Sequence, residues 1–419
     1  MLINKKTIIY LLLCLSIFLG FFFEENSSGG AKLDYLYLLP FAEGFKIDFI
    51  TGLNFFLSDT GSIIHSPVFY LLVGNLLRFV DNIYFINIFY IILSCFIPYV
   101  FYLIISNKYK INTNYIYFFS LLIFLSPYFR TSAIWLLGDN LSLLFFSISI
   151  LFFVKTKFKK EVIENYYFTL IFLILCCYIR YYYCLFAFYY LFCFYKNLKL
   201  RQFICLITLG IFLSIPAIYY LYYILINFNF YDKLSSYGNL NYYSNSLIFL
   251  SVLFFYFIPF VLTKLNLFFL YYKTRINYVL CLFLIFFLFY FLNKFYYPGL
   301  ISFSTLGGGI FVKLSKLLSI ETELFLSFIS FLSLLIIDYI FRENKKKNYL
   351  LLVIFILSFP VTTIYQKYLD PLFYLVFFGL IDSAYFKNIL INEKINLNLV
   401  FAYFFSFYLF SLFYYIQIV

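Results

Sequence analysis

The chain has 419 residues, of which 65% are hydrophobic and only 11% charged, with a mean hydropathy of +0.96. Soluble domains carry roughly 45–50% apolar and about 25% charged residues, so an aqueous enzyme, a coiled coil or a disordered scaffold is excluded as the main body. The composition predicts an all-α polytopic membrane protein, because a lipid environment forces the backbone to satisfy its own hydrogen bonds. The net charge of +12 would suggest nucleic acid in a soluble protein. In a membrane chain it asks instead on which side the Lys and Arg lie, and no nucleic-acid partner is expected.

The chain carries 65 Phe and 46 Tyr against one Trp. Most of this aromatic excess reads as lipid-facing filler. The eight cysteines lie in apolar runs, without CxxC spacing or a His neighbour, so they read as small buried hydrophobes.

In chain order, Lys5-Lys6 precede an apolar run over 7–23, followed by Glu24-Glu25 without a small-residue cleavage site. This predicts an uncleaved first helix with its N-terminus in the cytoplasm. Residues 24–82 hold seven of the 18 acidic residues and the single histidine, His65. They predict a large first extracytoplasmic loop with short helices over 33–45 and 67–80. The second opens on Ser66-Pro67, an N-cap followed by proline at the first helical position. At roughly 1.5 Å per residue it is too short for a comfortable span and suits the membrane interface. Further apolar runs cover 83–106, 115–129, 137–154, 166–179, 181–195, 203–226, 245–263, 277–292, 322–341, 349–365, 372–386 and 398–417. With the first helix they predict about 13 transmembrane helices forming a single domain over 1–419.

Charge supports this topology. With the N-terminus inside, 20 of the 30 Lys and Arg fall in cytoplasmic segments, and about 12 of the 18 acidic residues fall outside. Making 67–80 a full span would turn the basic connections outward, against the positive-inside bias. The chain is therefore expected to be a multi-pass protein of a bacterial inner (cytoplasmic) membrane.

The candidate chemistry lies on the outer side. Asp34 opens the first loop in Lys32-Leu33-Asp34-Tyr35, where a carboxylate can take a proton from an acceptor hydroxyl or cap a helix. Asp139 begins a helix after Ser126-Pro127, as helix N-termini prefer. Arg130, Arg180 and Lys367 fall at outer helix ends, where a cation either meets a phosphate or snorkels to headgroups. Binding is favoured for Arg180 and Lys367, and snorkelling for Arg78, Lys313 and Lys316. His65 reads as structural when taken alone. Gly307-Gly308-Gly309 lacks the context of a phosphate loop and reads as a turn.

Together these pieces resemble the GT-C superfamily of integral-membrane glycosyltransferases. The matches are Asp34 in the first loop, His65-Ser66-Pro67-Val68-Phe69-Tyr70 leading a juxtamembrane helix, Asp139 starting a later helix, and Lys367-Tyr368-Leu369-Asp370-Pro371 near the C-terminus. Ser66 replaces one proline of the family's pair, Tyr35 stands where many members have a second acid, and Lys367 replaces the commoner Arg. Thirteen spans with the N-terminus inside also resembles the aminoarabinose-transferring branch.

The resemblance implies an inverting transfer of a sugar from a polyprenyl-phosphate donor to a saccharide, lipid or protein acceptor at the extracytoplasmic face. It implies Asp34 as base and Asp139 as its support. Arg180 and Lys367 would be phosphate ligands, with Arg130, His65 and Tyr368 in the substrate site. A divalent cation held by Asp34 and Asp139 is the one cofactor this pattern leaves open. The rival readings are an O-antigen polymerase or ligase, whose large loop usually comes late, and a lipid-linked saccharide flippase or other transporter.

Overall fold

The computed structural model describes residues 5–58, 66–111, 113–158, 162–227, 242–296, 308–359, 361, 364–391 and 396–416. The described residues are mostly helical, with no strand among them. They fall into two compact units. One is Met1–Phe230 with Phe404–Val419, and the other is Tyr231–Tyr403.

The first unit opens with α1 (Lys5–Phe22) and then the loop helices α2 (Ala31–Ile47), α3 (Phe49–Ser58) and α4 (Val68–Phe79). The helices expected over 33–45 and 67–80 correspond to α2 and α4, while α3 was not anticipated. Asp48 starts α3: its carboxylate accepts from the Thr51 N–H at 2.8 Å and the Thr51 hydroxyl at 2.5 Å. At 12 residues, α4 is shorter than the roughly 20 apolar residues a bilayer crossing needs. One face of α4, carrying Phe69, Tyr70, Val73, Gly74 and Leu77, is buried.

Gly74 lets α2 and α4 approach closely. A Cβ there would lie 2.6 Å from the Ala42 carbonyl oxygen and 2.6 Å from Phe45 Cβ. Arg78, expected to snorkel, instead closes the end of α2: its guanidinium donates to the Phe45 carbonyl at 2.8 Å and the Lys46 carbonyl at 2.9 Å. Those carbonyls have no partner within their own helix, and a cation is well placed there.

The unit continues with α5 (Ile83–Tyr109), α6 (Asn114–Ser120), α7 (Pro127–Ile134), α8 (Gly138–Phe158), α9 (Glu164–Ile179), α10 (Phe186–Tyr195) and α11 (Leu200–Asn227). Asn82 caps α5 by accepting from the Tyr84 N–H. Ser126 caps α7 by accepting from the Phe129 N–H at 3.0 Å, with Pro127 at the first helical position. The outer loop expected after Ser126 is thus largely a helix, and its residues Pro127 and Phe129–Ile134 are buried.

The second unit holds α12 (Tyr242–Val261), α13 (Leu265–Lys273), α14 (Ile276–Tyr296), α15 (Gly309–Leu317), α16 (Thr322–Phe341) and α17 (Lys345–Leu357). A helical turn over Leu372–Tyr374 runs into a π-helical stretch, Leu375–Leu380, and α18 (Ala384–Ile391) follows. The last helix, α19 (Leu397–Ile416), starts in this unit and ends in the first.

Among the described residues, seven helices are long and apolar enough to cross a membrane: α1, α5, α8, α11, α12, α16 and α19. The number rises to ten if three pairs, bent by 66°, 94° and 97° at short breaks, each make one crossing. The remaining runs of the predicted set are the shorter helices α9, α10 and α17, at 16, 10 and 13 residues. Along α11 only 6% of the apolar window is covered by protein, and along α1 and α19 only 11%. Helices apolar on all sides and left so bare need an apolar surround, and these features fit a multi-pass membrane protein.

The aromatic excess divides between two uses. Phe212, Tyr219 and Phe410 are exposed, as lipid-facing filler should be. Many others form the cores, and the largest fully buried side chains include Tyr166, Tyr189, Tyr190, Tyr256 and Tyr374. In the first unit Phe153 stacks on Tyr190 at 4.7 Å, and in the second Tyr256 stacks on Phe373 at 5.1 Å. Ring pairs of this kind add roughly 0.5–1.5 kcal/mol beyond their buried area.

Candidate functional site

A half-open polar site of the first unit lies where α8 begins and α9 ends. Leu136 adopts a left-handed backbone at φ 48°, which a branched side chain rarely takes. This turn delivers Gly138 and Asp139 to the start of α8. Gly138 fits because a Cβ there would meet Ile179 at 3.1 Å and Phe69 at 3.2 Å. Two side chains hold the turn. The Tyr90 hydroxyl of α5 donates to the Leu137 carbonyl and accepts from the Leu141 N–H at 3.0 Å. The Asn140 amide donates to the Phe129 carbonyl at 2.9 Å and to the Ser94 hydroxyl at 3.2 Å.

Asp139 is brought to Arg180. Arg180 Nη2 donates to Asp139 Oδ2 at 2.7 Å, and the Tyr182 hydroxyl donates to Asp139 Oδ1 at 3.2 Å. The pair is half-open, with 15% of the Arg180 side chain and 27% of the Asp139 side chain exposed. Burial works against the Arg180 charge, but Asp139 beside it outweighs that cost and holds the guanidinium pKa above the usual arginine range. Tyr182, Tyr70 of α4 and Asp139 all bear on the same charge.

The loop helices flank this pair. Phe69 of α4 packs its ring edge on Tyr90 at 5.8 Å. The Ser66 hydroxyl donates to the carbonyl of Tyr178, two residues before Arg180. Asp34 lies in the first turn of α2, half-buried. Its neighbour Tyr35 packs on the ring of Trp135 at 5.7 Å, and Lys32 lies over the same indole at 5.4 Å. A small crevice of about 20 Å³ lies among Tyr35, Leu38, Phe69, Tyr70 and Leu136, with Tyr35 beside Asp34 and Leu136 three residues before Asp139.

The other candidates are placed differently. Arg130 is buried in a closed clamp. Its Nη2 meets Glu25 Oε2 at 2.6 Å and the Ser16 carbonyl at 2.9 Å, its Nε meets Glu25 Oε1 at 2.9 Å, and its Nη1 meets the Ser16 hydroxyl at 2.8 Å. The Tyr408 ring lies 4.8 Å from the same guanidinium. This ties α7 to α1 and α19, which is a structural use of the charge. Glu25 was not singled out in the sequence, being 105 residues from Arg130 with no local pattern joining them.

Lys367 and Tyr368 belong to the second unit. Lys367 lies over the Tyr365 ring at 5.7 Å, and Tyr368 stacks on Phe359 at 5.5 Å. Their segment is pinned by Asn245, which accepts from the Ile364 N–H at 3.1 Å, and by Gln366, which donates to the Tyr256 hydroxyl at 3.2 Å. His65 and Gly307 lie outside the described residues.

The donor set around Asp139 does not suit a resident divalent cation. Both carboxylate oxygens accept from protein donors, and an adjacent guanidinium opposes a second positive charge. Among the described residues, no three His, Cys, Asp or Glu side chains gather into a group that could hold a metal ion.

No protein-family model matches the chain, and no curated protein or solved structure matches it. The functional reading therefore rests on this geometry and on the sequence pattern.

Proposed function

We propose that the chain is a multi-pass glycosyltransferase that moves a sugar from a polyprenyl-phosphate donor to an acceptor hydroxyl at the extracytoplasmic face. The observation that carries the proposal is the half-open Asp139–Arg180 pair, flanked by α4, on which α2 with Asp34 packs. A guanidinium has five N–H groups, so pairing with one carboxylate is compatible with receiving a phosphate as a second anion. Asp139 is then a positioning residue that fixes the fork of Arg180.

In the transfer, Asp34 takes the acceptor proton as the acceptor oxygen attacks the anomeric carbon from the side opposite the phosphate. The bond from that carbon to the phosphate oxygen breaks, and the polyprenyl phosphate leaves with the electron pair. Arg180 neutralises the charge that develops on it. Attack from the opposite side inverts the anomeric centre.

The topology supporting this reading has thirteen crossings in a bacterial inner membrane, counting each bent pair and each of α9, α10 and α17 once, with the N-terminus in the cytoplasm. Tyr339 packs on Tyr271 at 5.3 Å and on Tyr385 at 5.4 Å, which joins α13, the end of α16 and the start of α18 beside Lys273, Arg342 and Lys387 and supports a shared cytoplasmic side for these basic residues.

The test is transfer in proteoliposomes supplied with a polyprenyl-phosphate-linked sugar. Asp34→Asn should lower turnover by about 10²–10⁴-fold while donor binding persists. Near-normal transfer by that variant would overturn the assignment. One observation favours a second reading, a lipid-linked saccharide transporter: broken helices are a recurring transporter device, and three bent pairs are present. A transporter would move the labelled lipid across the vesicle without forming a new glycosidic bond.

A further inference from the structure

A cavity of about 340 Å³ in the second unit is lined by Tyr271, Tyr339, Arg342, Tyr385 and Asn388, with Leu267 and Ile389. The three elements that form it are α13, the end of α16 and α18, each at a basic connection. A volume near 300 Å³ is the low end for a ligand site, enough for a compact polar group and too little for a whole lipid.

The charges on this face are sorted. Asp338 is taken by Lys345 at 2.6 Å and by the hydroxyls of Tyr271, Tyr272 and Tyr349 at 3.2–3.4 Å. Asp382 is taken by Lys347 at 2.9 Å. Arg275 donates to the Tyr271 hydroxyl at 2.5 Å. Arg342 is exposed, lies over the Tyr339 ring at 5.3 Å and has no carboxylate partner among the described residues. It is the cation that lines the cavity, and the guanidinium fork suits bidentate pairing with a phosphate. Asn388 adds an amide to the same wall.

The cavity adjoins an apolar surface. Leu267 is 46% exposed, and Leu270, next on the same flank of α13, is 61% exposed. A polar cavity beside a bare apolar helix fits an amphipathic ligand.

We propose that this cavity binds the phosphate-bearing headgroup of an anionic membrane lipid, with the phosphate on Arg342 and the acyl chains along α13. Basic pockets between membrane helices are a recurring form of lipid recognition. The chemistry shared with a soluble phosphate is the anion; the apolar flank commits the site to the lipid. The proposal does not depend on glycosyl transfer, so failure of the transferase reading leaves it standing.

The test uses the full chain in nanodiscs, with bound phosphatidylglycerol counted by native mass spectrometry after competition with phosphatidylcholine. The unmodified chain should retain phosphatidylglycerol selectively. Arg342→Gln should weaken that retention roughly fivefold to tenfold, as expected for one surface cation against an anionic headgroup. Lys346→Gln, an exposed lysine on the same connection outside the cavity, should leave retention unchanged. Asn388→Leu should weaken it to a lesser degree. Equal losses in Arg342→Gln and Lys346→Gln would reduce the effect to general surface charge and overturn the proposal. Displacement of the lipid by millimolar inorganic phosphate would assign the cavity to a soluble ligand, which also overturns it.

Discussion

Two arginine–carboxylate pairs in the first unit use the same chemistry to different ends. Arg130–Glu25 is sealed, with side chains 7% and 4% exposed, and its guanidinium is gripped from several sides. Arg180–Asp139 keeps 15% and 27% of its side chains exposed and sits at two helix ends beside a strained turn. The sealed pair has given its hydrogen bonds to holding α1, α7 and α19 together. The half-open pair sits where a third group can reach it. Completeness of enclosure, rather than the presence of a buried cation, separates a structural charge from one suited to chemistry.

On the proposed function, the largest expected effect is on transfer, at the half-open pair and at Asp34, the proposed base. Asp34→Asn should lower turnover by about 10²–10⁴-fold, the usual worth of a positioned general base. Arg180→Ala should lower it by about 10²–10³-fold, since a donor aimed at developing charge is removed. Asp139→Asn should act through Arg180, so Asp139→Glu should restore part of the rate. Initial rates in proteoliposomes check all four variants. Equal rates in Arg180→Ala and the unmodified chain would break the distinction between the two pairs.

The sealed pair should show its effect in stability. Glu25→Gln leaves a buried guanidinium without its counter-charge and should cost about 3–5 kcal/mol. Joint replacement, Glu25→Leu with Arg130→Met, should recover most of that loss, because two apolar groups need no pairing. Denaturant unfolding in detergent micelles measures both. Asp139→Asn should cost less than Glu25→Gln in the same assay, since water reaches its partner.

What the sequence made legible follows from the range of the interactions involved. The long apolar runs and the loop helices α2 and α4 are local signals, and each corresponds to an observed element. Ser126-Pro127 is a local signal too, a cap followed by proline, but it reads from sequence as an exit into a loop and instead starts α7. The start of α3 was also local: Asp48 followed three residues later by Thr51 is a capping signal that a closer reading of the loop would have used. Pairings were not legible. Glu25 with Arg130 spans 105 residues and Asp139 with Arg180 spans 41, and no periodicity joins partners that meet only through tertiary packing. The same limit explains Arg78, whose role depends on the end of α2, 33 residues earlier. It explains the aromatic cores too, since composition counts rings without saying which ones stack.

A further substitution asks whether the loop helices serve the half-open pair. Gly74→Ala would push a methyl group against the backbone of α2, where the nearest atoms are 2.6 Å from the ideal Cβ. Overpacking of this kind costs about 1–3 kcal/mol. Because α2 carries Asp34, transfer should fall with it, while the Arg130 clamp should be unaffected. Transfer that stays at the unmodified rate, with α2 displaced as judged by hydrogen exchange, would mean that the loop helices are not part of the site.

The smallest effect should come from an exposed pair, which completes the series. Lys46, in the last turn of α2, donates to Asp81, just before α5, and their side chains are 40% and 82% exposed. The hydrogen bond from Lys46, with its charge, holds the Asp81 carboxyl below the usual carboxylate range. A carboxyl with a depressed folded-state pKa contributes stability above its unfolded value, roughly 3.9, and loses that contribution as pH falls through the folded value. Asp81→Asn should therefore lower the unfolding temperature slightly at pH 7. The two proteins should converge as pH falls below the carboxylate range, with no change in their difference between pH 6 and pH 8. Salt should shrink that difference as well, because solvent-exposed charges are screened. Water already solvates both groups in the folded chain, so removing one strands nothing, in contrast to Glu25→Gln. A loss on Asp81→Asn as large as that on Glu25→Gln would show that enclosure does not rank these pairs, and the argument separating Arg130 from Arg180 would fall with it.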